Sequence, residues 1–67
     1  MTTASAPFHG HATVLVEVGQ RVEPGQVLAR VEAVKLEAAV DAPAAGRVRE
    51  VAADGPVDGG DVLVVLS

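Results

Sequence analysis

The sequence predicts an all-β domain, built as a sandwich of two sheets around a pseudo-twofold axis. Its apolar residues are dominated by valine, with fourteen valines against five leucines and no isoleucine. Side chains branched at Cβ pack better on a pleated sheet than on a helix. Apolar side chains also alternate with a period of two, and the chain repeats itself once. Together these three observations favour strands throughout the chain.

Three segments show the alternation most clearly and are predicted to be strands: residues 14–18, 27–31 and 62–66. Turn signals separate the apolar runs, because a glycine that follows Pro, Asp or Gly is typical of tight turns. These signals are Pro24-Gly25, Asp54-Gly55 and Gly59-Gly60.

The internal repeat relates residues 16–28 to residues 51–63 at an offset of 35. Two copies are too few for a solenoid, so we expect each copy to supply one sheet and each sheet to bury its apolar face against the other. Gly25 and Gly46 hold repeat positions that we expect to be turns with positive φ. The matched residues are Val16, Val22, Gly25, Val27 and Leu28 in the first copy and Val51, Val57, Gly60, Val62 and Leu63 in the second.

The chain is short enough for a single domain. Residues 1–6 are small and polar, and we predict a flexible tail there, with residues 7–67 forming the domain. A domain of this size buries too little surface for a deep enzymatic pocket. No nucleophile can be combined with a base and an orienting group, and the two histidines, His9 and His11, lack a third metal ligand. We therefore predict neither a catalytic site nor a metal site.

The composition limits the kinds of partner and the cellular compartment that we expect for the protein. The net charge of −4 and the single aromatic residue, Phe8, argue against nucleic-acid binding, which needs a basic face. No apolar run approaches the length of a membrane span, and the first ten residues do not resemble a signal peptide. With no cysteine in the chain, nothing indicates an oxidising compartment. A soluble, monomeric, cytoplasmic domain is the expectation.

Lys35 is the only lysine, and it lies between the two repeats. Residues 31–40 are short, uncapped and rich in valine, so we interpret them as two strands with an exposed turn near Val34 and Lys35. A lysine amine can be acylated, whereas a guanidinium cannot readily be. The carboxylates of Glu32 and Glu37 favour the charged ammonium, which indicates a substrate of a modifying enzyme and not a self-activating catalytic lysine.

The neighbours of the lysine leave two hypotheses open. Val34 and Leu36 place apolar side chains at an exposed turn, which is typical of a docking feature. Lys35 is then either a modified residue or a solvated charge on an unmodified protein-interaction module. The substitution Lys35→Arg separates the two, since a carrier loses its function and a docking module does not.

Residues 32–37, Glu-Ala-Val-Lys-Leu-Glu, resemble the signature of the biotinyl/lipoyl attachment domain family, and above all that of biotin carboxyl carrier (biotinyl) domains. That signature typically reads Glu-Ala-Met-Lys-Met-Glu, followed by Ala-Pro and a glycine, as in Ala42-Pro43 and Gly46 here. The spacing of eight residues from Lys35 to Pro43 is that of the family. The resemblance implies a flattened barrel or sandwich of two four-stranded antiparallel sheets with quasi-twofold symmetry, a barrel-sandwich hybrid.

The resemblance also implies a function. Lys35 would carry biotin in amide linkage, attached by a biotin protein ligase, and would shuttle carboxylate between biotin carboxylase and carboxyltransferase components. Glu32, Val34, Leu36 and Glu37 would be read by the ligase or the partners. The domain would be a non-catalytic part of a multi-component enzyme.

Lipoate is the alternative cofactor. Lipoyl domains of 2-oxoacid dehydrogenases usually have Asp before the lysine and Ala after it, whereas Val34 and Leu36 are apolar as in biotinyl domains. The sequence departs from the biotinyl pattern at Val34, where Met is usual. A Val at this position also occurs in the lipoyl carrier of the glycine-cleavage system.

Overall fold

Valine-rich segments of the chain form strands and no helix in a computed structural model that describes all residues, Met1–Ser67. One antiparallel sheet has the strand order β1-β8-β6-β3 and the other the order β5-β4-β2-β7. The predicted all-β sandwich of two four-stranded antiparallel sheets is confirmed. The strands are β1 (Thr2–Ser5), β2 (Gly10–Val14), β3 (Arg21–Val22), β4 (Val27–Glu32), β5 (Glu37–Asp41), β6 (Gly46–Val51), β7 (Gly55–Val57) and β8 (Val62–Leu66).

The two sheets show the pseudo-twofold relation in their strand order. Strands β2, β3, β4 and β5 correspond to β6, β7, β8 and β1, so one sheet order maps directly onto the other. The expectation that each copy supplies one sheet is wrong. Each copy supplies three strands of one sheet and gives its short second strand, β3 or β7, to the other. The exchange is physically favourable because it buries a valine, Val22, completely in the opposite sheet.

The predicted flexible tail at residues 1–6 is also wrong. Thr2–Ser5 form β1, which pairs with β8, and the side chains of Ala4 and Ala6 are buried. The Ala6 amide donates a hydrogen bond to the Asp61 carbonyl at 2.8 Å. A small, polar composition does not prevent strand formation where the neighbouring strand offers a free edge and a core to cover. The domain therefore includes these residues.

The core lies between the sheets and contains only apolar side chains. Its largest fully buried members are Leu28, Leu63 and Leu66, together with valines from both sheets. The strands predicted at 27–31 and 62–66 are confirmed, but the one predicted at 14–18 is not, since β2 ends at Val14. Beyond Val14 the chain crosses towards the other sheet, which buries Val16 and leaves Val18 exposed. No helix in the structure has the length and apolar character needed to cross a membrane.

The two glycines predicted to need positive φ behave differently. Gly25 has φ +85°, as expected for a turn. Gly46 does not have positive φ; it begins β6, opposite Val22. A Cβ at Gly46 would lie 2.6 Å from the carbonyl oxygen of Ser67, so glycine is required there because two backbones approach closely.

Candidate functional site

The lysine hairpin, defined as β4, the turn at 33–36 and β5, carries the candidate site. Glu32 pairs with Glu37, and the Ala33 amide donates a hydrogen bond to the Leu36 carbonyl at 2.8 Å. The predicted turn near Val34 and Lys35 is confirmed. No residue other than glycine has positive φ, which explains why the turn forms without Gly or Asn.

The tip of the hairpin is open to solvent. Lys35 is exposed, Val34 is 99% exposed and Leu36 is 58% exposed. A shallow, open cleft of about 330 Å³ is bordered by residues 32–37 and by no other part of the chain. Because the chain supplies no wall around the lysine, a second protein has to enclose it for any chemistry that excludes water.

The amine of Lys35 forms no ion pair and no hydrogen bond to another side chain or to the backbone. The carboxylate of Glu37 is instead bound by Arg30, whose Nη1 lies 2.6 Å from Oε1 of Glu37. Glu32 faces Glu37 across the hairpin and forms no ion pair. The arrangement leaves the amine accessible, and no side chain of the hairpin contacts it to take up its proton.

The two histidines are not brought together with further ligands. His9 precedes β2, and its Nδ1 lies 3.2 Å from Oδ1 of Asp58, with both side chains largely exposed. His11 is in β2, opposite Glu32. No group of three or more His, Asp or Glu side chains is arranged to hold a metal ion.

The body of the domain holds the hairpin through β4, which lies between β5 and β2. Val31 of β4 and Val40 of β5 are buried beneath it. Gly10, at the start of β2, lets the backbone pass against the carbonyl of Glu32, where a Cβ would overlap.

Sequence reasoning missed two residues of this site, Gly10 and Arg30. Gly10 could have been found from its repeat partner Gly46, since both begin a strand at the same place in their copies. Arg30 could have been found from its place two residues before Glu32, which puts both side chains on one face of a strand. The predicted site residues Glu32, Val34, Lys35, Leu36 and Glu37 all lie on the hairpin.

The geometry of the hairpin agrees with a comparison against known families. The model of the Biotin_lipoyl family, described as biotin-requiring enzyme, matches residues 3–66. The chain belongs to this family. As a Biotin_lipoyl domain it is a non-catalytic carrier domain of the biotinyl/lipoyl type, a class that holds biotin or lipoate covalently on a lysine.

Several solved structures contain a domain of the same fold. An aspartoacylase family protein from Mesorhizobium loti is 18% identical with a TM-score of 0.91. The ectoine utilization protein EutE (DoeB) from Ruegeria pomeroyi and a succinylglutamate desuccinylase/aspartoacylase from Rhodobacter sphaeroides are each 24% identical, with TM-scores of 0.85 and 0.86. The matches cover 96% of this chain but only 21–24% of those chains. These similarities show the fold alone. No curated protein matches the chain.

Proposed function

We propose that this Biotin_lipoyl domain is a biotin carboxyl carrier, with biotin in amide linkage to Nζ of Lys35. The observation that carries the proposal is the position of the only lysine, at the tip of an exposed hairpin between two exposed apolar side chains. The amine has no partner within the domain, so it is available to an incoming acyl donor.

Attachment requires an enzyme, because nothing in the hairpin removes a proton from the ammonium. A biotin protein ligase would supply biotinyl-adenylate together with the base. The deprotonated amine attacks the acyl carbon, the C–N bond forms, and AMP leaves with the electron pair of the broken acyl–oxygen bond. Val34 and Leu36 offer the ligase an apolar contact, and Glu32 and Glu37 offer it charged groups.

The loaded arm would accept carboxylate at a biotin carboxylase and deliver it at a carboxyltransferase. The domain itself contributes tethering. A covalently held intermediate meets each active site at an effective concentration well above its concentration when free. The open hairpin suits this role, because the lysine enters a partner's active site without any part of the domain having to move away.

Biotin is favoured over lipoate by the two residues that flank the lysine. Lipoyl domains usually have Asp and Ala there, and the apolar Val34 and Leu36 match the biotinyl pattern. We propose that the domain is monomeric by itself and is located in the cytoplasm. It would form part of a biotin-dependent carboxylase.

The test is the intact mass of the protein after co-expression with either a biotin ligase or a lipoate ligase. We expect one biotin adduct, lost in Lys35→Arg while the thermal unfolding curve stays unchanged. A matched control moves the amine: Lys35→Arg combined with Arg49→Lys places a lysine on β6 and should give no adduct. A lipoyl adduct would place the protein in a 2-oxoacid dehydrogenase or glycine-cleavage system. If neither ligase gave an adduct, the hypothesis of an unmodified protein-interaction module would be favoured instead.

A further inference from the structure

We propose that Arg30 is a positioning residue for Lys35, acting through Glu37 to keep the two strands of the lysine hairpin together beneath the turn. The inference depends on the proposed function in one respect: it takes Lys35 as the residue that the hairpin presents to a modifying enzyme. Arg30 is five residues before the lysine, outside the resemblance at residues 32–37.

The ion pair is a diagonal contact between neighbouring strands. Arg30 of β4 pairs in register with Ala39 of β5, while Glu37 is two residues nearer the tip on β5. Both side chains are on the outward face of the sheet: Arg30 and Glu32 lie on either side of the buried Val31 in β4, and the exposed Glu37 pairs directly with Glu32. Diagonal positions lie within reach of a long side chain, and Nη1 of Arg30 reaches Oε1 of Glu37 at 2.6 Å.

The pair counteracts a repulsion at the base of the turn. Glu32 and Glu37 are directly opposite each other, and like charges in that arrangement weaken strand pairing. On its other side Glu32 pairs with His11 of β2. Arg30 is the positive side chain that binds one of the two facing carboxylates, that of Glu37.

Few other contacts stabilise the turn. Beyond the Glu32–Glu37 pair, its backbone is closed by the hydrogen bond from Ala33 to Leu36. Val34 is 99% exposed and contributes no packing. Opening at the base of the turn would move Lys35 directly, since none of the side chains at 34–36 is buried against the core.

The other arginines do not perform this task. Arg21 pairs with Glu23, two residues away on the same segment, and Arg47 donates to the carbonyl oxygen of Gly19. Arg49 forms no ion pair and lies on the other sheet. Arg49→Gln is therefore a matched control that removes an exposed arginine without affecting the hairpin.

The first test needs no ligase, so it remains decisive if the proposed function fails. Amide hydrogen exchange of Ala33 is measured by NMR in the wild type, Arg30→Gln and Arg49→Gln. We expect Ala33 to exchange about threefold faster in Arg30→Gln, the effect of losing one exposed ion pair, and no change in Arg49→Gln. Equal rates in all three proteins would overturn the inference.

The second test measures kcat/KM for biotinylation of Lys35 by a biotin ligase. We expect a loss of about threefold in Arg30→Gln and about tenfold in Arg30→Glu, where three carboxylates would cluster. Arg30→Lys should remain close to the wild type. The difference between wild type and Arg30→Gln should vanish at about 1 M salt, where exposed charges are screened.

The charge-swapped double variant Arg30→Glu/Glu37→Arg tests whether Arg30 acts through Glu37, again without a ligase. If it does, the swap restores the ion pair, and amide exchange of Ala33 returns to within about twofold of the wild type. If Ala33 exchanges as fast in the swap as in Arg30→Glu, the inference is overturned. A wild type that receives no biotin at all contradicts the proposed function and leaves the exchange test to decide on Arg30.

Discussion

The lysine hairpin and its pseudo-twofold counterpart share one framework and differ in what connects their strands. In the first copy, β4 and β5 are joined by the turn at 33–36, whereas in the second the equivalent strands, β8 and β1, are far apart in the sequence and pair without a turn between them. Both places need a glycine against a backbone carbonyl: Gly10 beside Glu32 and Gly46 beside Ser67. The framework is thus built twice, and the candidate site is present only in the copy whose strands are joined by the turn.

The largest effect is expected at the two close approaches. A methyl group at Gly10 or Gly46 would overlap a backbone carbonyl, which cannot rotate away as a side chain can. We expect Gly10→Ala and Gly46→Ala each to cost roughly 3 kcal/mol or more of unfolding free energy, measured by urea or thermal unfolding. Gly59→Ala is the control, since its Cβ would meet Phe8 at 3.3 Å and a small shift suffices. A wild-type melting curve for Gly46→Ala would show that β6 and the end of β8 are farther apart.

The next effect concerns the matched leucines of the core. Leu28 and Leu63 occupy equivalent repeat positions and are 0% and 1% exposed. Truncation to alanine should cost about 2–4 kcal/mol at each site, through lost burial and an unfilled cavity. Urea unfolding of the two variants tests whether the copies contribute equally. A difference above about 1.5 kcal/mol would mean that one sheet dominates the core.

A smaller effect is expected at the two equivalent turns. Gly25 and Gly60 have φ of +85° and +92°, with open space around the missing Cβ. Gly25→Ala and Gly60→Ala should each cost about 1 kcal/mol, because only the backbone conformation is strained. The comparison with Gly46→Ala separates strain from overlap: similar losses at all three positions would contradict the distinction.

The smallest effect on stability is expected at the tip itself. Val34→Ser and Lys35→Ala should change the unfolding free energy by less than about 0.5 kcal/mol, since these side chains make almost no packing contacts. By contrast, Val34→Ser should slow modification of Lys35 if the ligase reads the apolar flank. Circular dichroism melting and a ligase assay on the same preparations test both statements. A clear loss of stability in Lys35→Ala would show that the tip supports the fold.

Much of the site could be predicted because it depends on neighbours in sequence. Alternation predicted the strands at 27–31 and 62–66, and the short, uncapped, valine-rich stretch 31–40 indicated the hairpin. Alternation failed at residues 14–18, where the valines continue after the strand ends. There the chain passes from one sheet to the other, so a buried valine such as Val16 no longer indicates a strand.

The glycines likewise include one whose role could be predicted from the sequence and one whose role could not. A Pro-Gly pair indicates a turn through its own backbone preferences, so the positive φ of Gly25 was predictable. Gly46 is a glycine because of Ser67, a residue twenty-one positions later in the chain, and no local pattern encodes that approach. The predicted positive φ at Gly46 was therefore wrong, and the reason for a glycine there is the close approach of the Ser67 backbone.

Composition and short-range pattern were sufficient for the all-β class, the hairpin turn and the exposed lysine, because each follows from the preferences of residues close together in the chain. Contacts between distant segments set the rest: the exchange of β3 and β7, the pairing of Thr2–Ser5 with β8, and the approach at Gly46. The Arg30–Glu37 pair belongs with these, since it forms only once β4 and β5 adopt one register. Such contacts depend on which strand lies beside which, and that is settled when the two sheets pack.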